Sequence, residues 1–275
     1  MSDKVTILDL HAMKRNGEKI VGCVVWDYQM ARIVDKVGVE IISVGDTVGH
    51  NLWGQPNPLQ VSVDEMLTVA RAVRRGTERA ILSCDFPYGP LQQGVDEAVR
   101  AGIRFAKEAG VDMIKLDGAA DYPEAVTALT RAGIPVWAQF GITPHTALAY
   151  AIPYASMSEP GAEVPREMKE RLVSEARMLE DAGAVLLDFT NSGPEVGPAV
   201  VESVAIPVIG GFGGGPWLDG RVRMAHAAIG YGAKYLQDDI DTYANVAEIS
   251  YRAISELCGD IRAGRQIKGA KPRKS

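Results

Sequence analysis

Short apolar runs that stop at an acid recur along this chain, and two of the four stand just after a helix-like stretch closing on Ala-Gly. Ile41-Ile42-Ser43-Val44-Gly45-Asp46-Thr47 is the clearest, and Cys84-Asp85, Lys115-Leu116-Asp117 and Leu187-Asp188 close three more. The runs are too short for helices and too continuous for half-exposed strands, so they predict strands buried on both faces of a parallel sheet. Glu108-Ala109-Gly110 and Asp181-Ala182-Gly183 precede two such runs, and Arg131-Ala132-Gly133 precedes an apolar run that stops at Gln139. Glycine there can take the left-handed cap that ends a helix.

The spacing predicts eight strands, at residues 19–26, 41–44, 80–84, 113–117, 134–139, 185–190, 206–210 and 232–236, each but the last with room for a crossover helix behind it. Eight βα units specify a closed (β/α)8 TIM barrel over an open sheet. No Gly-x-Gly-x-x-Gly follows the first strand, which counts against a dinucleotide fold. A short amphipathic helix over 6–18 precedes the barrel, residues 50–61 read as a loop placed to serve as a lid, and the last helix is expected over 242–257. At 275 residues the chain reads as one barrel domain over 1–275, with the barrel at about 19–258 and a tail at 259–275.

A net charge of -6 argues against nucleic acid, and the basic cluster at 268–274 reads as a solvated terminus. No apolar run is long enough to span a bilayer and no signal-peptide pattern opens the chain, so no membrane partner is expected. Cys23, Cys84 and Cys258 form no CxxC, which points to a reducing cytoplasm and, for Cys84, a place in the core.

Strand C-terminal ends of a barrel share one mouth. Asp46, Asp85 and Asp117 hold that position on neighbouring strands. Carboxylates packed together repel unless a cation compensates them, and oxygen-only ligation suits Mg²⁺; the plainer reading is three separate turn acids. Lys115, two residues before Asp117, projects to the same side. It is a candidate for binding a substrate carboxylate or an acid, for a structural ion pair, or for a Schiff base. Gly45 and Thr47 offer backbone N–H groups and a hydroxyl to a carboxylate oxygen. The glycine run at 210–215 suits an anion site or a tight turn equally. His50 and His145 are loop histidines, a class that is commonly solvated and idle.

With Asp27-Tyr28, Val44-Gly45-Asp46-Thr47-Val48-Gly49, Asp85-Phe86-Pro87, Ile114-Lys115-Leu116-Asp117-Gly118, Gly141-Ile142-Thr143-Pro144, Ile206-Pro207-Val208-Ile209-Gly210 and Asp219-Gly220 together, the chain resembles the ketopantoate hydroxymethyltransferase family of the phosphoenolpyruvate mutase/isocitrate lyase superfamily. The resemblance implies a 2-oxo acid substrate chelating Mg²⁺, with Asp46 and Asp85 as metal ligands and Asp117 in place of an outer glutamate. It also implies that Thr47 and Lys115 bind the substrate carboxylate and that 5,10-methylenetetrahydrofolate donates one carbon. It implies a homo-oligomer, commonly a decamer. Two positions depart from the family: Gln139 stands for a histidine, and Thr190 for the glutamate that moves the proton. Asp188, two residues before Thr190, is the substitute acid on the same strand face, or else a core acid paired with Lys115. These departures leave open a divergent aldolase or C–C lyase, and a non-catalytic relative that only binds metal and ligand. The Lys-Lys-Cys-Gly-His loop of the isocitrate lyase branch does not occur.

Overall fold

Period-two alternation along each strand sorts the barrel interior into layers. In the computed structural model, which describes residues 4–158, 162–237 and 241–269, eight strands close into a barrel in chain order. They are β1 (Ile20–Val24), β2 (Ile41–Val44), β3 (Ile81–Asp85), β4 (Met113–Leu116), β5 (Val136–Gly141), β6 (Leu186–Thr190), β7 (Val208–Gly210) and β8 (Gly220–Met224). Ile20, Ile41, Ile81, Met113, Trp137, Leu186, Ile209 and Val222 form one apolar cluster at the foot of the barrel. Leu10 and Met13 of α1 (Ile7–Asn16) close it from below. Two residues on, the inward positions change character to Ser43, Ser83, Lys115, Gln139 and Asp188. The fold thus builds a hydrophobic plug and sets a polar layer on top of it.

The helices follow the strands: α2 (Tyr28–Val37), the single turn α3 (Val48–Asn51), α4 (Val63–Gly76), α5 (Val95–Ala109), α6 (Pro123–Arg131), α7 (Lys169–Asp181), α8 (Gly197–Ser203), α9 (Ala225–Ala228) and α10 (Val246–Arg262). Ser62 caps α4 in a reciprocal box with Glu65, and Gly38 ends α2 at φ 96°. The stretch expected as a plain loop at 50–61 takes up the end of α3 and a 3₁₀ turn at Pro58–Gln60.

The eighth strand lies elsewhere than the spacing predicts. Residues 232–236 contribute a 3₁₀ turn, Ala233–Leu236, and β8 is Gly220–Met224. Gly-Arg-Val-Arg-Met alternates instead of running apolar, because only Val222 among its central residues faces the plug. β7 therefore meets β8 through a helix-free turn, with Ile209 opposite Gly220. Gly220 is required where the barrel closes, since a Cβ there would lie 2.1 Å from the Ile20 carbonyl oxygen.

Internal contacts divide the chain into two units, Met1–Arg223 and Met224–Ser275. In the second unit Asn245 caps α10 and its Nδ2 donates to the Tyr235 carbonyl at 3.0 Å. The helix runs from 246 to 262, later than the expected 242–257, because Asn245 supplies the first cap. Part of the basic cluster at 268–274 lies outside the described residues. No helix among the described residues is long and apolar enough to cross a membrane.

Candidate active site

The acids expected at the mouth are all there, within the first unit. Asp85 ends β3, Asp117 follows β4, and Asp46 follows β2 just before α3. Asp46 and Asp117 are buried, as are Thr47, Gln139, Asp188 and Thr190. Lys115 reaches between two strands, its Nζ 3.1 Å from Asp188 Oδ2 and 3.5 Å from Asp85 Oδ2. Below it the Trp137 ring lies 5.2 Å from the ammonium, a cation–π contact that suits a cation set on the apolar plug. Lys115 is thus held by two carboxylates, and Ser43 Oγ also donates to Asp85 Oδ1 at 3.4 Å.

His145, a loop histidine of the class expected to be solvated and idle, belongs to the site instead. It sits on the loop after β5, yet its side chain is only 5% exposed and its Nε2 lies 2.9 Å from Asp46 Oδ2. Its backbone N–H donates to Asp117 Oδ2 at 3.2 Å. One loop residue therefore ties two of the three strand-end acids together. Its place directly after Gly141-Ile142-Thr143-Pro144 is what distinguishes it from His50 in the sequence. His50 binds the Gln55 carbonyl at 3.0 Å and packs edge-on against Tyr154.

Burial dominates the electrostatics and raises the carboxyl pKa of Asp85, opposed by Lys115 and reinforced by Asp46, Asp188 and Asp117. Burial likewise raises Asp117, against the pull of His145 and a Thr143 hydrogen bond. For the two cations burial works against charge, but the acids outweigh it. Lys115 is pushed up by Asp85 and Asp188, and His145 is pushed up to about 9 by Asp117 and Asp46. Four carboxylates thus face two cations, leaving a formal surplus of two negative charges in a low-dielectric mouth.

The mouth fits a hard divalent cation in charge and donor type. Its surplus matches one such ion, the donors are carboxylate oxygens, and buried Asp117 Oδ1 has no hydrogen-bond partner. Among the described residues no three acidic, histidine or cysteine side chains converge as a complete ligand set. Mg²⁺ does not require one, since it commonly takes one or two carboxylates and fills its shell with water and substrate oxygens.

The two positions at which departures are expected, Gln139 and Thr190, are joined to each other. Gln139 Nε2 donates to Thr190 Oγ1 at 2.9 Å, in a buried bond between residues 51 apart in sequence. The β5–β6 register, with Gln139 opposite Asp188 and Gly141 opposite Thr190, brings them together. A neutral pair stands where the resemblance implies a histidine and a glutamate. The glycine run after β7 forms a tight turn: Gly213 and Gly214 take φ of 60° and 80°. The Arg221 guanidinium donates to the carbonyls of Gly210 and Gly214.

The barrel and its acid-lined mouth define a class. Solved structures of the same fold include 2,3-dimethylmalate lyase, a PEP mutase/isocitrate lyase superfamily member, with a TM-score of 0.59 at 16% identity over 98% of this chain and 91% of that one. Phosphonopyruvate hydrolase in complex with oxalate and Mg²⁺ gives a TM-score of 0.59 at 14% identity over 98% and 92%. At such identities the likeness is one of fold. The family model for ketopantoate hydroxymethyltransferase matches residues 4–266. The 3-methyl-2-oxobutanoate hydroxymethyltransferase of Cyanothece sp. is 37% identical over 94% of this chain and 96% of its own. That of Pyrococcus abyssi is 36% identical over 90% and 85%. The chain belongs to the ketopantoate hydroxymethyltransferase family, a family of enzymes.

Proposed function

We propose that this protein transfers a hydroxymethyl group from 5,10-methylenetetrahydrofolate to 3-methyl-2-oxobutanoate, with Mg²⁺ at the mouth. The observation that carries the reading is the acid cluster around Lys115, joined to the family membership. Asp46 and Asp85 would hold the ion directly, with Asp117 in the outer shell. When bound, such an ion withdraws electrons from the keto group and so acidifies the neighbouring C–H. Lys115 and Thr47 bind the substrate carboxylate, Lys115 as a charge already fixed by Asp188.

The C3 proton leaves to a base, and the electron pair left on C3 forms the bond to the donor's methylene carbon. Both C–N bonds of the methylene bridge break. Water supplies the hydroxyl oxygen, and the two nitrogens take up protons to return tetrahydrofolate. We place the proton transfer along the strip of Asp188, Gln139 and Thr190. Asp188 is the acid of that strip, and its Oδ1 is buried without a hydrogen-bond partner. Thr190 and Gln139, bonded to each other, orient the substrate and do not ionise near neutral pH, so within the strip Asp188 alone takes up the proton.

The neutral pair also favours a second reading, an aldol-type enzyme of the same site with another 2-oxo acid or another donor. Its three free cysteines suit the cytoplasm. The exposed Ile249, Ile254 and Ile261 of α10 suit a homo-oligomer. The test is exchange of the C3 proton of 3-methyl-2-oxobutanoate in D₂O with Mg²⁺, followed by product formation on adding the folate donor. Exchange and transfer support the first reading, and exchange without transfer supports the second. No exchange with this or any small 2-oxo acid would sink both.

A further inference from the structure

A cavity of about 300 Å³ opens beside the acid cluster, between the loop after β4, the loop after β5 and the first turns of α7. His145 lines it and, by its bond to Asp46, forms the wall shared with the proposed metal mouth. Phe140, Ala120 and Ala149 supply apolar surface. Tyr150 stands at the rim with its residue surface 37% exposed, leaving ring area for contact. The polar side is Glu175, whose side chain is 15% exposed and is held by Arg171 Nε at 2.6 Å from Oε1. Asp121 adds a second carboxylate.

This lining selects for a definite chemistry. An anionic group entering to meet Arg171 would also meet Glu175 and Asp121, so an anion is disfavoured. A flat heterocycle with adjacent N–H groups on one edge can instead donate two parallel bonds to a fixed carboxylate and lay its face on Tyr150 and the apolar wall. The volume lies at the small end of ligand cavities, enough for a bicyclic ring and not for a conjugated tail. We infer that this cavity seats the aminopyrimidine-bearing bicyclic ring of the one-carbon donor, with Glu175 receiving its N–H edge. The inference rests on the folate reading above and adds the place and the recognising residue. With the ring seated there, the donor's reactive methylene is on the His145 side, facing the 2-oxo acid, and the tail leaves past Tyr150 to solvent.

The test separates donor binding from chemistry. Tetrahydrofolate binding is measured by titration calorimetry on the wild type, Glu175→Gln and Ala149→Phe, the last filling the cavity without changing charge. Proton exchange on 3-methyl-2-oxobutanoate in D₂O, which needs no donor, is followed in parallel, with melting curves to show that each variant folds. Both variants should bind tetrahydrofolate at least tenfold more weakly, and folded Ala149→Phe should keep exchange within about twofold of wild type. Undiminished tetrahydrofolate binding in both variants overturns the inference. So does a wild type that exchanges protons yet binds no tetrahydrofolate. Equal loss of exchange and binding in both folded variants overturns it too, because the cavity would then belong to the whole site. A wild type that binds tetrahydrofolate but exchanges no proton leaves the cavity standing and strikes the 2-oxo acid reading instead.

Discussion

At the foot of the barrel Ile20, Ile41, Ile81, Met113, Leu186 and Val222 fill the interior with apolar side chains. Two to four residues further along the same strands it is filled by Ser43, Ser83, Lys115, Asp188 and Asp85. The backbone is continuous through both layers, so the difference lies in side-chain chemistry alone. At the foot, burial is favourable for every group, at about 25 cal/mol per Å² of apolar surface. At the mouth burial is unfavourable for each charge, as the raised carboxyl pKa values of Asp85 and Asp117 show. The foot holds the fold together, and the mouth holds charges that a folded chain without a ligand would do better without.

The sharpest way to break that comparison is one substitution at each end. Asp85→Asn should lower turnover on the order of 10²–10³-fold, as for loss of a group that stabilises charge in the transition state. Its melting temperature in metal-free buffer should hold or rise, since a neutral amide relieves carboxylate crowding. Leu186→Ala should do the reverse, costing about 2–5 kcal/mol of stability while the folded fraction keeps its turnover. Activity assays and thermal melts on the two variants check both. Loss of activity and stability together in Asp85→Asn would remove the distinction between the ends.

The two ends also differ in how legibly the sequence announces them. Strands β2 to β6 can be read because burial on both faces makes continuous apolar runs, and the acids of β2, β3, β4 and β6 can be read by position. β8 is hidden because it closes the barrel with one inward valine between two arginines, and alternation over five residues is a weak signal. His145 is hidden for another reason. Its burial depends on a loop folding back over Asp46, and nothing local in the chain encodes that reach of 99 residues. The Gln139–Thr190 bond is equally non-local, created by strand register. Each residue taken alone reads as a missing catalytic group, whereas the structure joins the two by one buried hydrogen bond.

That pair sits between plug and acids and offers a finer probe. Thr190→Val keeps the shape but leaves the Gln139 amide without its buried acceptor, at a cost of about 1–3 kcal/mol. Gln139→Leu leaves the Thr190 hydroxyl in the same position. The double variant should recover part of the loss, giving a coupling of about 0.5–3 kcal/mol in a denaturant double-mutant cycle. Strict additivity would mean that the two substitutions are independent and that the bond between them contributes nothing to stability.

The smallest expected effects lie outside the barrel, at two capping boxes whose acids answer pH with the opposite sign to the mouth. At α1, Asp9 is held below its ordinary value of 3.8 by the Thr6 hydroxyl and backbone N–H. At α4, Glu65 is held below its ordinary value of 4.5 by the Ser62 backbone N–H and hydroxyl. A carboxyl with a depressed folded pKa lends stability above its unfolded pKa, and that stability is lost as pH falls through the folded value. Asp85 and Asp117 have raised values, so their contribution is full below the unfolded pKa and is lost as pH rises through the folded one. Thr6→Ala and Ser62→Ala should therefore each lower stability by about 1 kcal/mol at pH 7. The gap to wild type should narrow at pH 3, where the box acids approach protonation. Asp117→Asn in metal-free buffer should show no penalty at pH 3 and a gain at pH 8. Urea denaturation at these pH values measures all three. A gap for the capping variants that is equally wide at pH 3 and pH 7 would assign their effect to the hydroxyl alone, and would leave the contrast of sign resting on the mouth.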